Sequence, residues 1–199
     1  MQGQPHIWTA VLWTGVGFVS GSLMFSYWLG LLVGKDVRSV GDGNPGAANA
    51  IKAAGPLIGL AGGALDFFKG TIPVALATWP FTYSAWKVWV IPIAVAPVLG
   101  HVFSPWLGGR GGKGIAVTFG IWAGLTAWQV PCVLGGACAC AKFLLRLRDA
   151  WTVVFGMAVT TLFVGIKYQA FPLLGVAVPN TALIIFTHRR ELCPRRSSS

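Results

Sequence analysis

What most constrains this chain is where its charges are missing. Long apolar runs are interrupted only by short turns, and nearly every charged side chain lies in a turn. Runs near the ~20 residues that a helix needs to cross a hydrocarbon core fall at roughly 8–34, 57–78, 87–107, 115–131, 132–147, 151–168 and 172–187. Charged residues make up 10% of the 199 and hydrophobic residues 55%, with mean hydropathy +0.69. A soluble domain carries about 25% charged residues, so this chain lacks the charge to cover a water-facing surface. The expected fold is an all-α integral membrane protein, a single polytopic domain over residues 1–199 with seven transmembrane helices. The fourth and fifth runs meet at Pro131, which suits either a tight hairpin or one long segment.

Basic residues set the orientation. The segments 35–56, 108–114, 142–149 and 188–199 hold Lys35, Arg38, Lys52, Arg110, Lys113, Lys142, Arg146, Arg148, Arg189, Arg190, Arg195 and Arg196, out of 15 Lys and Arg. Lys87 and Lys167 fall on the opposite side, and Lys69 lies within a run. Cytoplasmic loops carry the excess of Lys and Arg, which puts the N-terminus outside and the C-terminus in the cytoplasm. An odd number of spans satisfies both. Trp8, Trp79, Trp86 and Trp89 then belong to an outer aromatic belt, and Trp106 and Trp151 to the inner interface. The opening "MQGQPHIWTAVLWTG" has no Lys or Arg ahead of its apolar run. It lacks the basic region of a cleavable signal peptide, and the first helix is expected to remain.

The net charge of +10 resides in these turns rather than on one basic face, so no nucleic-acid partner is expected. Cys132, Cys138 and Cys140 lie in the small-residue run "PCVLGGACACAKF" with no His nearby. They read as small buried packing residues, and no metal site is expected.

Four polar clusters gather on the cytoplasmic side. In "GKDVRSVGDGNPGAANAIKAAG" (34–55), Gly41, Gly43 and Gly46 allow close backbone approach, and Asn44 and Asn49 can hydrogen-bond the turn or a ligand. A loop this long with so little bulk is more often functional than not. In "LDFFKG", Asp66 and Lys69 stand three apart and meet on one helix face. They form either a structural ion pair or one wall of a polar site, because ionisable groups at membrane depth are paired or face a cavity. The stretch "GHVFSPWLGGRGGKG" (100–114) sets His101 at the end of one helix. Lys113 and the backbone at Gly111–Gly114 precede the next, where a helix N-terminus favours anions, and Arg110 adds a second cation. "THRRELCPRR" (187–196) ends the last run, with His188 as a general base, an anion contact or the first residue out of the membrane, and Arg189 beside it.

Together these clusters describe a polar pocket at the cytoplasmic membrane face, rich in anion-binding groups. Gly-x-Ser-x-Gly, HExxH and the Walker Lys-Ser/Thr are absent, which points away from serine hydrolases, zinc proteases and NTPases. A phosphate-bearing substrate whose other end is lipid fits best.

These stretches, in this order, resemble the bacterial integral-membrane glycerol-3-phosphate acyltransferases that use acyl phosphate as donor, the PlsY family. "GSLMFSYWLGLLVGKDVRSVGDGNPGAAN" is similar to that family's GS-x-P-F-G-Y…G-x-D-I-R-x-x-G-S-G-N-x-G-A-T-N. "LDFFKG", "GHVFSPWLGGRGGKG" and "HRREL" follow in register over nearly the whole chain. The resemblance implies acyl transfer from acyl phosphate to the 1-hydroxyl of glycerol 3-phosphate, giving lysophosphatidic acid and phosphate, with no cofactor, in a bacterial plasma (inner) membrane. It implies that Gly41, Gly43, Asn44, Gly46 and Asn49 cradle the acyl-phosphate group. Lys113 would contact phosphate, with Gly111, Gly112 and Gly114 shaping its turn, and His188 the second substrate. Lys113 and His188 are the candidate catalytic residues. The further substrate-binding candidates are Lys52, Asp66, Lys69, His101, Arg110 and Arg189, and a lipid-facing groove would hold the acyl chain.

The departures from that pattern are specific. Asp42 stands where the family has Ser, Ala48 where it has Thr, Lys52 where it has Arg, Glu191 where it has Asn, and Trp151 where it has Ser. Two added acids and a lost Arg in an anion site each cost on the order of 1 kcal/mol or more. An active acyltransferase is therefore weighed against a family member that has lost the chemistry. The latter would serve as a structural or lipid-binding subunit beside other membrane subunits, in a respiratory or photosynthetic complex. A transporter is the third reading, although no inverted repeat is visible.

Overall fold

The structure, a computed structural model, describes residues 7–79 and 87–193. Trp86, Arg195 and Arg196 lie outside the described residues. All regular structure among the described residues is helical: α1 Ile7–Ser22, α2 Phe25–Leu32, α3 Ala47–Ala54, α4 Pro56–Thr78, α5 Val90–Val102, α6 Ile115–Thr126, α7 Gln129–Ala139, α8 Asp149–Tyr168 and α9 Phe171–Leu192. Five stretches are long and apolar enough to cross a membrane: Ile7–Leu32, Pro56–Thr78, Val90–Leu107, Asp149–Tyr168 and Phe171–Leu192. The helices at Ile115–Thr126 and Gln129–Leu144 are apolar but shorter.

Many large apolar side chains face outward. Leu12, Leu57, Leu60, Leu76, Leu162 and Ile166 are exposed, an arrangement that suits lipid as the solvent. The helix seams are lined by glycine. A Cβ on Gly120 of α6 would collide with the Phe67 carbonyl of α4, and one on Gly70 would lie 2.8 Å from the Val117 carbonyl. Across the α1–α5 seam, Gly21 meets Pro97 and Gly100 meets the Phe18 carbonyl as closely. Small residues let membrane helices approach backbone to backbone, where packing rather than the hydrophobic effect holds them.

Several boundaries differ from those read in the sequence. The first run breaks at Leu23–Met24, and neighbouring side chains satisfy the carbonyls freed there. Ser104 Oγ donates to the Ser22 carbonyl at 2.7 Å, and Lys69 Nζ donates to that of Leu23. The loop 35–56 holds the helix α3, stopped by Gly55 at φ 89°, after which Pro56 starts α4; Gly after and Pro at the start of a helix is the favoured order. The fourth and fifth runs separate at Ala127 (φ 52°) and not at Pro131. Pro131 lies in the first turn of α7, where its missing N–H costs nothing. α7 continues as one π-helical turn, Cys140–Leu144. The last helix runs on past residue 187 to Leu192, so His188 is not the first residue out but a buried helical one. The cysteines of the small-residue run are less buried than expected: Cys132 is exposed, Cys138 and Cys140 half-buried; Cys193, in the basic tail, is exposed as well.

Candidate active site

Three connecting segments and the end of α9 meet on one face. At their centre is Lys113, whose ammonium pairs with Asp42 Oδ2 at 2.5 Å and with the Glu191 carboxylate. Asp42 comes from the loop ahead of α3, Lys113 from the turn ahead of α6, and Glu191 from the last turn of α9. Thr187 Oγ1 lies 3.1 Å from the Lys113 carbonyl and joins α9 to that turn. Burial favours the neutral acid at Asp42, but Lys113, the Asn44 N–H and the Asn49 amide outweigh it and hold its carboxyl at about 2. Burial likewise favours the neutral amine at Lys113, yet the bonds to Asp42 and Glu191 carry it above its ordinary value. The sequence departures Asp42 and Glu191 are thus both bound to the lysine of the glycine-rich turn.

The Asp42 loop is braced from beneath. Asn49, buried on α3, directs Nδ2 at the Val40 carbonyl (3.0 Å), Asp42 Oδ1 (2.7 Å) and the Asn44 carbonyl (3.1 Å). Gly41 and Gly43 take φ of 60° and 74°, conformations closed to most side chains. A Cβ on Gly41 would collide with Asn49 Oδ1, and Lys52 Nζ would be 3.2 Å away. Gly46 caps α3. Asn44 and Asn49 therefore bond the loop itself.

The glycine-rich turn is tied down more than its sequence suggests. Gly111 N–H donates to the Val102 carbonyl and Gly112 N–H to the His101 carbonyl, both at 3.0 Å. These two groups are not bare, as the turn's composition had implied, because the turn folds back on the end of α5. Gly114, at φ 83°, starts α6 and leaves that helix's first turn facing the cluster.

His188 is buried, with Nδ1 2.8 Å from the Ile184 carbonyl. A carbonyl only accepts, so Nδ1 carries the proton and Nε2 is left as an acceptor. Arg110 is exposed on the turn. Arg189 is turned back along its own helix: its guanidinium donates to the Phe186 carbonyl at 2.6 Å and stacks on the Phe186 ring. Asp66, Lys69 and His101 are brought together, but beneath the turn, where they are nearly inaccessible and bond one another.

The structure also gathers residues that were not among the site candidates. Lys142, Arg148, Asp149 and Glu191 line a polar pocket of about 350 Å³, and Lys142 pairs with Asp149. Lys142, Arg148 and Asp149 belong to no motif, so only the charge excess at 142–149 hinted at them, and Glu191 stood out only as a departure. A separate apolar groove of about 490 Å³ opens between α1, α5 and α9, lined by Phe18, Val19, Val95, Leu99 and Pro179 among others.

Residues 11–194 match the model of the family described as glycerol-3-phosphate acyltransferase. The chain belongs to the glycerol-3-phosphate acyltransferase family. Relatives in that family include glycerol-3-phosphate acyltransferase 1 of Thermotoga maritima, 37% identical over 188 residues that cover 89% of this chain and 93% of that one. The Anaeromyxobacter dehalogenans strain 2CP-C enzyme is 36% identical over 193 residues, 94% of this chain and 92% of that one. The fold is similar to the crystal structure of PlsY (YgiH), an integral membrane glycerol 3-phosphate acyltransferase, in its glycerol 3-phosphate form. The TM-score is 0.84 at 29% identity, covering 92% of this chain and 90% of that one. The lysophosphatidic acid form of PlsY gives 0.82 at 27% identity, covering 92% and 89%. Within the acyltransferase family, then, this chain carries an acidic clamp on the lysine of its glycine-rich turn.

Proposed function

We propose that the protein transfers a fatty acyl group from acyl phosphate to the 1-hydroxyl of glycerol 3-phosphate, the first acylation of phospholipid synthesis. Family membership supports the reaction class, and the observation that carries the site is Lys113. It is a cation on a glycine turn, beside a helix N-terminus, already holding two carboxylates where a phosphate would sit. The 1-hydroxyl oxygen attacks the acyl carbon, the bond from that carbon to the phosphate oxygen breaks, and phosphate leaves with the electron pair. Lys113 and the first turn of α6 stabilise the charge on the leaving phosphate without reorganising. His188 Nε2, free as an acceptor, takes the hydroxyl proton. Gly41, Gly43, Asn44, Gly46 and Asn49 shape the loop over the acyl-phosphate group, with Lys52 alongside. Gly111, Gly112 and Gly114 shape the turn, Arg110 and Arg189 add charge at the entrance, and the apolar groove takes the acyl chain.

The enzyme crosses a bacterial plasma membrane seven times, N-terminus outside, with this site on the cytoplasmic face. Purified protein given acyl phosphate and glycerol 3-phosphate should release phosphate. Lys113→Met should remove the activity while the protein still folds, with a modest drop in melting temperature from the loss of the Asp42 and Glu191 pairs. Wild-type protein that is folded and lipid-embedded yet releases no phosphate and binds none would overturn the proposal. One observation favours a second reading: Asp42 and Glu191 occupy Lys113. A family member closed in this way and serving as a structural or lipid-binding subunit would instead purify with partner subunits in fixed stoichiometry.

A further inference from the structure

A buried polar network lies under the site. Asp66 accepts from Ser26 Oγ at 2.6 Å through Oδ2 and pairs with Lys69 at 2.7 Å through Oδ1. Lys69 Nζ also donates to the Leu23 carbonyl at the break between α1 and α2, and lies 2.8 Å from His101 Nδ1. Relative exposures are 0% for Ser26, 1% for Asp66, 4% for Lys69 and 4% for His101. An ammonium has only hydrogens to offer, so Nδ1 accepts and His101 carries its proton on Nε2. That is the opposite tautomer to His188. Nε2 in turn faces Gly112, where a Cβ would collide with it, and a Cβ on Gly111 would collide with the His101 carbonyl. The same His101 carbonyl accepts from Gly112 N–H at 3.0 Å. Lys113 is the next residue.

We infer that Ser26, Asp66, Lys69 and His101 are positioning residues. They form a substrate-free relay that fixes the His101 ring, seats Gly111 and Gly112 against it, and thereby aims Lys113. This rests on the proposed role of Lys113 but assigns the network no contact with substrate. Each donor of the Lys69 ammonium is matched by one of three acceptors from different elements: Asp66 on its own helix, Leu23 at the α1–α2 break and His101 on α5. A buried charge with all its bonds directed holds one geometry, because any displacement leaves a polar group unpaired in low dielectric.

The test separates seating from fold and from activity. His101→Asn keeps an acceptor near the Nδ1 position for Lys69 but removes the part of the ring that meets Gly112. Hydrogen exchange measured on the whole protein in nanodiscs should show the amides of 108–114 exchanging at least tenfold faster in this variant. The interiors of α5 and α6 should stay as protected as in wild type. In acyl transfer, KM for glycerol 3-phosphate or acyl phosphate should rise at least fivefold with a smaller change in kcat. In the Lys113→Met background, His101→Asn should cause no further loss of inorganic phosphate binding, since it acts through that lysine. Should His101→Asn prove unstable, Gly112→Ala provides the second arm: its methyl meets the His101 ring, so it should weaken phosphate binding and speed exchange at 108–114 while the interiors of α5 and α6 stay protected. Unchanged exchange at 108–114 overturns the inference, as does a phosphate-binding loss that persists without Lys113. Wild-type protein that lacks acyl transfer while the exchange effect is present would instead count against the proposed function alone.

Discussion

The residue that decides most about this protein is Lys113, and its two carboxylate partners set how it behaves. A phosphate reaching Lys113 meets two carboxylates already bonded to that ammonium, so both acids compete with substrate for one cation. Asp42→Ser and Glu191→Asn should each tighten inorganic phosphate binding by about threefold to tenfold, an effect of about 1 kcal/mol from removing one like charge from the anion site. Titration calorimetry reads this directly, and unchanged or weaker binding would show that the clamp does not compete. The clamp also has a defined pH window. Asp42 is depressed in the fold to about 2, so its contribution is complete above its ordinary carboxylate value and lost as pH falls through about 2. Lys113 is raised, so its contribution is complete below its ordinary ammonium value and lost as pH rises through the folded one. The melting-temperature difference between wild type and Asp42→Asn should therefore be flat from about pH 5 to about pH 9 and shrink on further acidification. At this scale the sequence was informative about identity but not about pairing. Lys113 and His188 stood out by motif, and Asp42 and Glu191 by departure. That both acids reach the same ammonium follows only from folding, as does the occupation of the Gly111 and Gly112 N–H groups by α5.

Elements were legible in proportion to how purely hydropathy defines them. α4, Pro56–Thr78, falls almost where the apolar run and its Gly-Pro start place it. The α6–α7 joint did not, because Pro131 looked like a breaker while the actual break, at Ala127, carries no signature residue. Helical glycines were also opaque: hydropathy says which segments are helices but not which faces meet. Gly120 shows the consequence. It packs against the Phe67 carbonyl, and α4 carries Asp66 and Lys69, so the seam also holds the buried network in register. A larger side chain there meets backbone, which cannot swing aside as a side-chain tip can. Gly120→Val should cost about 1–3 kcal/mol or more by overpacking, read as a lower unfolding midpoint in detergent. Gly136, whose Cβ would meet nothing within 4 Å, is the control, and Gly136→Ala should leave the midpoint near wild type. Equal effects at the two positions would mean that the α4–α6 seam does not depend on close backbone contact.

On the scale of the whole molecule, the open question is how the two short helices sit in the bilayer. The pairing of Asp42, Lys113 and Glu191, and the pocket that Glu191 shares with Lys142, Arg148 and Asp149, bring the basic segments 35–56, 108–114, 142–149 and 188–193 to one face. The proposed orientation, from the positive-inside rule, has that face cytoplasmic. Helix α6 spans Ile115–Thr126, only about 18 Å at 1.5 Å per residue, against a hydrocarbon core of about 30 Å. Both ends of the α6–α7 hairpin lie on the cytoplasmic face whether it crosses or merely dips in, so the termini do not discriminate. Its tip does. Ala127 and Trp128 are exposed there, Trp128 at 65% and stacked on Phe67 of α4, so access to residue 127 reports whether the tip reaches the outer interface. Single-cysteine variants in a background lacking Cys132, Cys138, Cys140 and Cys193 test this. With a membrane-impermeant maleimide, Pro45→Cys and Arg110→Cys should react only from the cytoplasmic side, and Ala127→Cys and Gln169→Cys only from outside. If residue 127 stays unreactive from outside while 169 labels, the short pair is a re-entrant hairpin and the chain crosses five times. If 45 and 110 label from outside, the orientation itself is reversed, and a site supplied with cytoplasmic glycerol 3-phosphate could not lie where Lys113 does.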